Sequence, residues 1–448
     1  MRRRPHVALL LLSLVPTVVA CTDGVGGFSA TGPGGVSNSG SGAAFAGGSA
    51  RALTGGTGGA VIGGIGGWGE AASGGPASSG AGGQGGLGPT SGQAGSRDGT
   101  DGAAGSGGVN PPYGYGYIPT TVTPLDALAA YNAWKAVHLE ECGSGKYRVR
   151  WENTRLDATV SEGIGYGMLL AVSHNERAVF DGLFAYYKSA LNERGLMHWL
   201  RYGCDAHREI KYGLESPDNA AADADLDVAM ALLMAKCRWG DANYGSEATP
   251  IINAIRTHMF MSDGSLIVLQ PGDSEWYDEL GNGCVNYSYF SPAYYRAFAE
   301  HDSAHASFWN DAADDAYTLL HRASHSNTGL VRNWGSSTGG DATNITYNRP
   351  SSYGDDAART PWRIGTDYLW YGDAQAATWT NRVTTWVKSK GIKNTIQWYQ
   401  LDGNPDEQAN GWFDHTVINV GPFAVGAMSY DQATVNEFAA EILAIPAG

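Results

Sequence analysis

The sequence predicts an all-α domain of layered helices preceded by a disordered Gly-rich linker, and three observations carry that expectation. Apolar residues recur at helical spacing in seven stretches between Leu125 and Leu443; alternating β patterns are scarce and short; and 34 of the 64 Gly fall between Cys21 and Pro112. The glycine count therefore describes two different polymers.

The first of them begins behind a leader. Met1-Arg2-Arg3-Arg4 is followed by an apolar run from Val7 to Ala20, broken once by Pro16. Residues 1-20 read as a secretory signal too short to span a bilayer. Val18-Val19-Ala20-Cys21 resembles a bacterial lipobox, which makes Cys21 the expected lipid-bearing residue of an exported protein anchored at the cell envelope; ordinary cleavage would release it instead. Residues 21-112 hold six charged residues, three aromatics (Phe28, Phe45, Trp68) and no apolar periodicity, too little to offset chain entropy. With no G-X-Y register, the stretch reads as a flexible spacer.

Residues 113-448 hold 13 of the 14 Trp and all 23 Tyr, enough for one large domain. Their 24 Lys+Arg against 40 Asp+Glu would repel phosphate backbones and anionic membranes, so nucleic acid is excluded as a partner and the membrane is met only through Cys21. Cys142, Cys204, Cys237 and Cys284 remain, allowing two disulfides in three connectivities, although Cys237 sits in an apolar helix where a buried thiol is the simpler reading. No CxxC or Cys/His cluster is present, and no metal or cofactor is expected.

The helical stretches are Leu125–Val137, Gly165–Val172, Leu226–Trp239, Pro292–Ala299, Trp309–Leu320, Ile364–Tyr371 and Val435–Leu443, with the longest loop over Ala323–Gly354. Leu226–Trp239 is apolar on nearly every side, which requires an inner layer of helices shielded by an outer one.

Three segments put an acid beside the start of an apolar helix. Ser161-Glu162-Gly163-Ile164-Gly165-Tyr166-Gly167 offers Ser161 as N-cap and three glycines, which imply either a backbone that a ligand approaches or tight helix packing. Ala221-Ala222-Asp223-Ala224-Asp225-Leu226-Asp227 enters the buried helix, with Asp223 also readable as a plain N-cap. It is no EF-hand, since Ala229 and Met234 stand where Gly and Glu belong. In Asp355-Asp356-Ala357-Ala358-Arg359, Asp356 and Arg359 share a helical face and can ion-pair. Gly143-Ser144-Gly145-Lys146 is no phosphate loop, because Glu140 and Tyr147 replace the required Gly and Ser/Thr.

Together these segments resemble glycoside hydrolase family 8, the bacterial inverting β-glycanases. Ala221 to Trp239 follows the family signature, departing mildly at Ala222 and Val228; Ser161 to Met168 is similar to its general-acid segment and Asp356 to Arg359 to its base segment. Gly195 to Trp199, Ser274-Glu275-Trp276 and Tyr289 to Arg296 resemble cleft segments. The resemblance implies an (α/α)6 barrel, Glu162 as general acid, Asp356 as general base, Asp223 as the residue that tunes the acid and binds the distorted sugar, and Arg359 as the group that orients Asp356. Asp355 stands where the family's cellulases often carry Tyr, which bears on the pH optimum through like-charge coupling.

Inversion needs a protonated acid and an ionised base about 6.5–9.5 Å apart. A helix N-terminus lowers the pKa of Glu162, so burial and the charge of Asp223 must raise it. Sugar rings want flat aromatics with polar rims; Trp199 and Trp276 are the expected stacking platforms and Tyr289 a further substrate contact. The run Arg359-Thr360-Pro361-Trp362-Arg363 is similar to the family's endoglucanases more than its xylanases, and chitosanases mostly place their base elsewhere. The expectation is thus a monomeric endo-β-1,4-glucanase needing no cofactor, with an endoxylanase next and a non-catalytic glycan-binding lipoprotein as the alternative of another class.

Overall fold

A computed structural model describes residues 114–151, 155–211, 214–215, 218–273, 283–342, 345, 349–409 and 414–445. The expected signal, Cys21 and the Gly-rich stretch lie outside the described residues, as do Glu275 and Trp276.

Among the described residues there are eleven α-helices: α1 (Pro124–His138), α2 (Ser161–Ser173), α3 (Arg177–Ser189), α4 (Ala222–Trp239), α5 (Ala242–His258), α6 (Pro292–His301), α7 (Ala306–Ala323), α8 (Thr360–Tyr371), α9 (Ala374–Lys390), α10 (Val417–Ala427) and α11 (Gln432–Ala444). They belong to an (α/α)6 barrel, of which the described residues give five inner and six outer helices alternating along the chain. The inner helices α2, α4, α6, α8 and α10 are buried on almost every side; in α4 every residue from Ala222 to Ala235 is buried. The outer helices α1, α3, α5, α7, α9 and α11 bury one face only, as their amphipathic sequences require.

Four of these helices, α3, α5, α9 and α10, have no counterpart among the stretches read from periodicity. Two carry an internal proline, Pro250 in α5 and Pro422 in α10, and α10 also holds Gly421 and Gly426, so local signals there favour a break. Packing inside the barrel overrides them: Val417, Val420, Phe423 and Val425 are all buried.

The glycines around Glu162 serve helix packing. A Cβ on Gly165 would stand 2.8 Å from Asp227 Cβ and 3.1 Å from the Ala224 carbonyl, so α2 and α4 cross there with backbones nearly touching. Gly167 faces Leu183 and Val149 side chains at 3.0 Å in the same way.

Short antiparallel pairs rim the barrel. Leu139–Glu141 (β1) and Tyr147–Val149 (β2) form a hairpin whose turn is the Gly143-Ser144-Gly145-Lys146 run. Ala158–Val160 (β3) pairs with Leu200–Tyr202 (β4), with Val160 opposite Leu200, and leads directly into α2. Of the four cysteines, Cys142 and Cys204 form a disulfide that ties the hairpin turn to the residues after β4. Cys284 is a buried thiol, and Cys237 lies near the end of α4, half-buried. No described helix is long and apolar enough to cross a membrane.

The bridge closes a loop of 62 residues, for which the loss of unfolded-chain entropy is worth about 4 kcal/mol. The Cys142→Ser/Cys204→Ser double variant should therefore melt several degrees below the parent, and reductant should lower the parent's Tm while leaving the variant's unchanged. Equal melting temperatures with and without reductant would show that the bridge contributes nothing.

Candidate active site

Three inner helices open at one end of the barrel, each with an acid at its entry. Glu162 is the second residue of α2 and Asp223 the second of α4, and Asp356 precedes a 3-10 turn, Ala357–Arg359, that runs into α8. Neither Ser161 nor Asp223 caps its helix: the cap positions are Val160 and Ala221, and no side chain accepts from the first turns. The helix dipoles thus bear on acids held near the axis, with no hydroxyl or carboxylate spent on capping.

Arg359 joins two of the three acids. Its Nη1 donates to Asp223 Oδ2 at 2.6 Å and its Nη2 to Asp356 Oδ1 at 2.8 Å. The guanidinium lies over the ring of Tyr289, 5.1 Å from its centroid, and within 3.4 Å of the Tyr166 hydroxyl. Asp356 Oδ2 accepts from the Trp334 indole at 2.8 Å, so both of its oxygens are held. Asp355 turns to a different partner, accepting from Gln397 Nε2.

Glu162 is held differently. Its Oε1 accepts from the Trp199 indole at 3.2 Å, while the Ser161 hydroxyl is 3.4 Å from Oε2. Burial, then the negative charge of Asp223, push its pKa up to about 7, against smaller opposing contributions that include Arg359 and the Trp199 hydrogen bond. Burial likewise raises Asp223 to about 6, with Arg359 and Arg363 opposing. Asp223 is wholly buried, and its Oδ1 has no hydrogen-bond partner among the described residues.

Below this layer Asp227 and Arg363 form a fully buried ion pair, Nη2 to Oδ2 at 2.8 Å, with the guanidinium stacked 4.2 Å over Trp362. Asp227 sits one α4 turn after Asp223, and Arg363 one turn after Arg359.

The structure therefore brings Glu162, Asp223, Asp356, Arg359, Trp199 and Tyr289 together. Trp199 is half-exposed, its indole nitrogen on Glu162 and its ring edge-on to Trp151 at 6.1 Å. Tyr289 is buried beneath Arg359. Trp276 lies outside the described residues. Sequence reasoning missed Trp334 and Tyr166: the first stands in the long Ala323–Gly354 loop with no local motif, and the second was read only as part of the acid segment.

Residues 121–432 match the family model "Glycosyl hydrolases family 8". The chain belongs to glycosyl hydrolase family 8. Among similar proteins, it is 35% identical over 343 residues to "Endoglucanase A" of Acetivibrio thermocellus, covering 75% of this chain and 68% of that one. To "Endoglucanase 2" of Ruminiclostridium josui it is 38% identical over 308 residues, 68% of this chain and 62% of the relative, so it spans roughly two thirds of these relatives' length. A solved apo structure of "Beta-1,3-1,4-glucanase" from Paenibacillus sp. X4 superposes with a TM-score of 0.63 at 29% identity, covering 73% of this chain and 89% of that one.

A raised carboxyl pKa also affects stability. Folding raises the Glu162 pKa from 4.5 to about 7, so the stability associated with its protonated form is complete below pH 4.5 and lost as pH rises through 7. Glu162→Gln should hence melt close to the parent at pH 5 and about 1–3 °C above it at pH 8, read by calorimetry. A variant less stable than the parent at pH 8 would contradict the burial cost.

Proposed function

We propose that the chain is an inverting endo-β-1,4-glucanase acting on cellulose or mixed-linkage β-glucan, with Glu162 as general acid and Asp356 as general base. The observation that carries the reading is the contrast between the two carboxyls. Glu162 is half-buried, and desolvation together with the charge of Asp223 raises it to about 7, so it holds a proton near neutrality. Asp356 ion-pairs with a permanent guanidinium and accepts an indole N–H, an environment that suits an ionised base. A carboxyl that keeps its proton, set opposite one held in an ion pair, is what acid/base hydrolysis requires.

The steps follow from that contrast. Trp199 occupies Glu162 Oε1, which leaves Oε2 to carry the proton to the glycosidic oxygen as the bond to the anomeric carbon breaks. Asp356 takes a proton from a water that attacks the opposite face, and the product sugar has inverted configuration. Asp223, with one oxygen on Arg359 and the other without a partner among the described residues, is suited to accept a hydroxyl of the sugar at the cleavage point. The names of the relatives support glucan as the polymer.

In this reading residues 113-448 act as a monomer on the end of a tether. A spacer of about 90 Gly/Ser-type residues has a root-mean-square reach of roughly 50 Å. A Cys21 lipid at one end would leave the barrel free to meet insoluble polymer outside the cell. Proteinase treatment of intact cells tests this: loss of the barrel domain is expected, and full protection would argue for an inward-facing or differently held protein.

Reducing-sugar release from carboxymethylcellulose, barley β-glucan and xylan tests the reaction. Release from the two glucans is expected, falling by about 10²–10⁴ in Glu162→Gln and Asp356→Asn. Binding without release by the parent would leave a glycan-binding protein, and release from xylan alone would make it a xylanase. The basic limb of the pH–rate profile should fall near pH 7, where Glu162 loses its proton.

A further inference from the structure

Asp225 lies two residues after Asp223, wholly buried inside α4, and takes no part in the chemistry above. Its Oδ1 accepts from the Tyr187 hydroxyl at 2.6 Å and from the backbone N–H of Met197 at 3.1 Å, while its Oδ2 has no hydrogen-bond partner among the described residues. A side chain with that burial is costly unless its hydrogen bonds have a use. The Met197 bond has one. Two residues on, the Trp199 carbonyl accepts from the N–H of Ser161 at 2.9 Å, which fixes the first residue of α2, and the Trp199 indole donates to Glu162 at 3.2 Å. The first residue of α2 and the Glu162 carboxyl are therefore both held by one residue of a strap whose inner end is fastened to α4 by Asp225.

We infer that Asp225 is a positioning residue for Glu162, acting through the Met197–Trp199 strap that holds both the start of α2 and the carboxyl itself. The inference rests on the reading of Glu162 as general acid. What Asp225 supplies is an acceptor oxygen, not a charge: burial raises its pKa to about 8, so near neutrality it is largely neutral and still accepts both donors. Asp223, Asp273 and Tyr187 face Asp225, and Asp223 and Arg359 face Glu162. Loss of the strap loosens the indole N–H that favours ionised Glu162, so the acid's pKa moves up.

The test is kinetic, on the full chain with barley β-glucan, in Asp225→Asn, Asp225→Ala, Trp199→Phe and the Asp225→Ala/Trp199→Phe pair, each with a melting curve. Asp225→Asn keeps the acceptor and should retain kcat within about threefold with the parental basic limb. Asp225→Ala should lose about tenfold or more in kcat with KM within about twofold, and its basic limb should shift to higher pH, as in Trp199→Phe. The double variant should be little worse than the worse single one, since both cut the same support. A lowered Tm with kcat and basic limb unchanged would make Asp225 merely structural, and multiplicative losses in the pair would break the link to Trp199. Should Asp225→Ala not be recovered folded, Asp225→Asn decides alone, because a loss of kcat with a shifted limb in a variant that keeps the acceptor overturns the inference. Full activity in Glu162→Gln would instead overturn the acid assignment beneath it, and the two failures are told apart by that variant.

Discussion

Arg359 is the constraint on which the site depends. Asp223 and Asp356 enter the same end of the barrel from α4 and from the turn before α8, and two carboxylates so close would otherwise repel each other in a medium with little water to screen them. One guanidinium, presenting separate N–H groups to each, turns that repulsion into a bridge. A lysine at the same place would supply the charge as a point and lose the fork that fits two acceptors at once. The bridge rests on the Tyr289 face, and one helical turn further in the Asp227–Arg363 pair repeats the same acid–guanidinium pairing inside the barrel core.

The same cation explains why the third acid behaves differently. Glu162 has no direct bond to Arg359; its firm contact is the Trp199 indole, a neutral donor, and it lies within the field of Asp223. Its proton is retained through desolvation and through proximity to the negative charge of Asp223, which together outweigh the opposing pull of Arg359. The proposed acid and the proposed base are thus distinguished by which carboxyls the guanidinium reaches, a matter of placement more than of residue type, since all three groups are carboxyls.

How much of this was legible in the sequence follows from which forces act locally. The buried helix Leu226–Trp239 declared an inner layer because its apolar residues wrap the whole circumference, and α4 is that helix with four residues added at its start. Glu162, Asp223, Asp356 and Arg359 were readable because each sits in a short segment with a recognisable pattern. The helices α5 and α10 were not, because Pro250, Pro422 and the neighbouring glycines argue locally for a break that only the barrel's packing overrules. Trp334 was illegible for a related reason: its indole reaches Asp356 across 22 residues of loop, and no spacing rule encodes that distance. The glycines beside Glu162 posed a question the sequence left even, and the answer, close contact of α2 with α4 at Gly165, needed both helices in place.

The close crossing at Gly165 connects fold to chemistry. A side chain there would push α2 away from Ala224 and Asp227, and Glu162, three residues earlier on α2, would move with it relative to Asp223. The like-charge effect that helps keep Glu162 protonated depends on that separation. Three glycines in the first two turns of a helix cost it intrinsic stability, about 1 kcal/mol each relative to alanine. The helix forms nonetheless because Ile164, Met168, Leu169 and Leu170 are buried in the barrel wall. The barrel's core thus holds in place a helix entry too weak to persist alone, and that entry sets the proton affinity of the residue it carries.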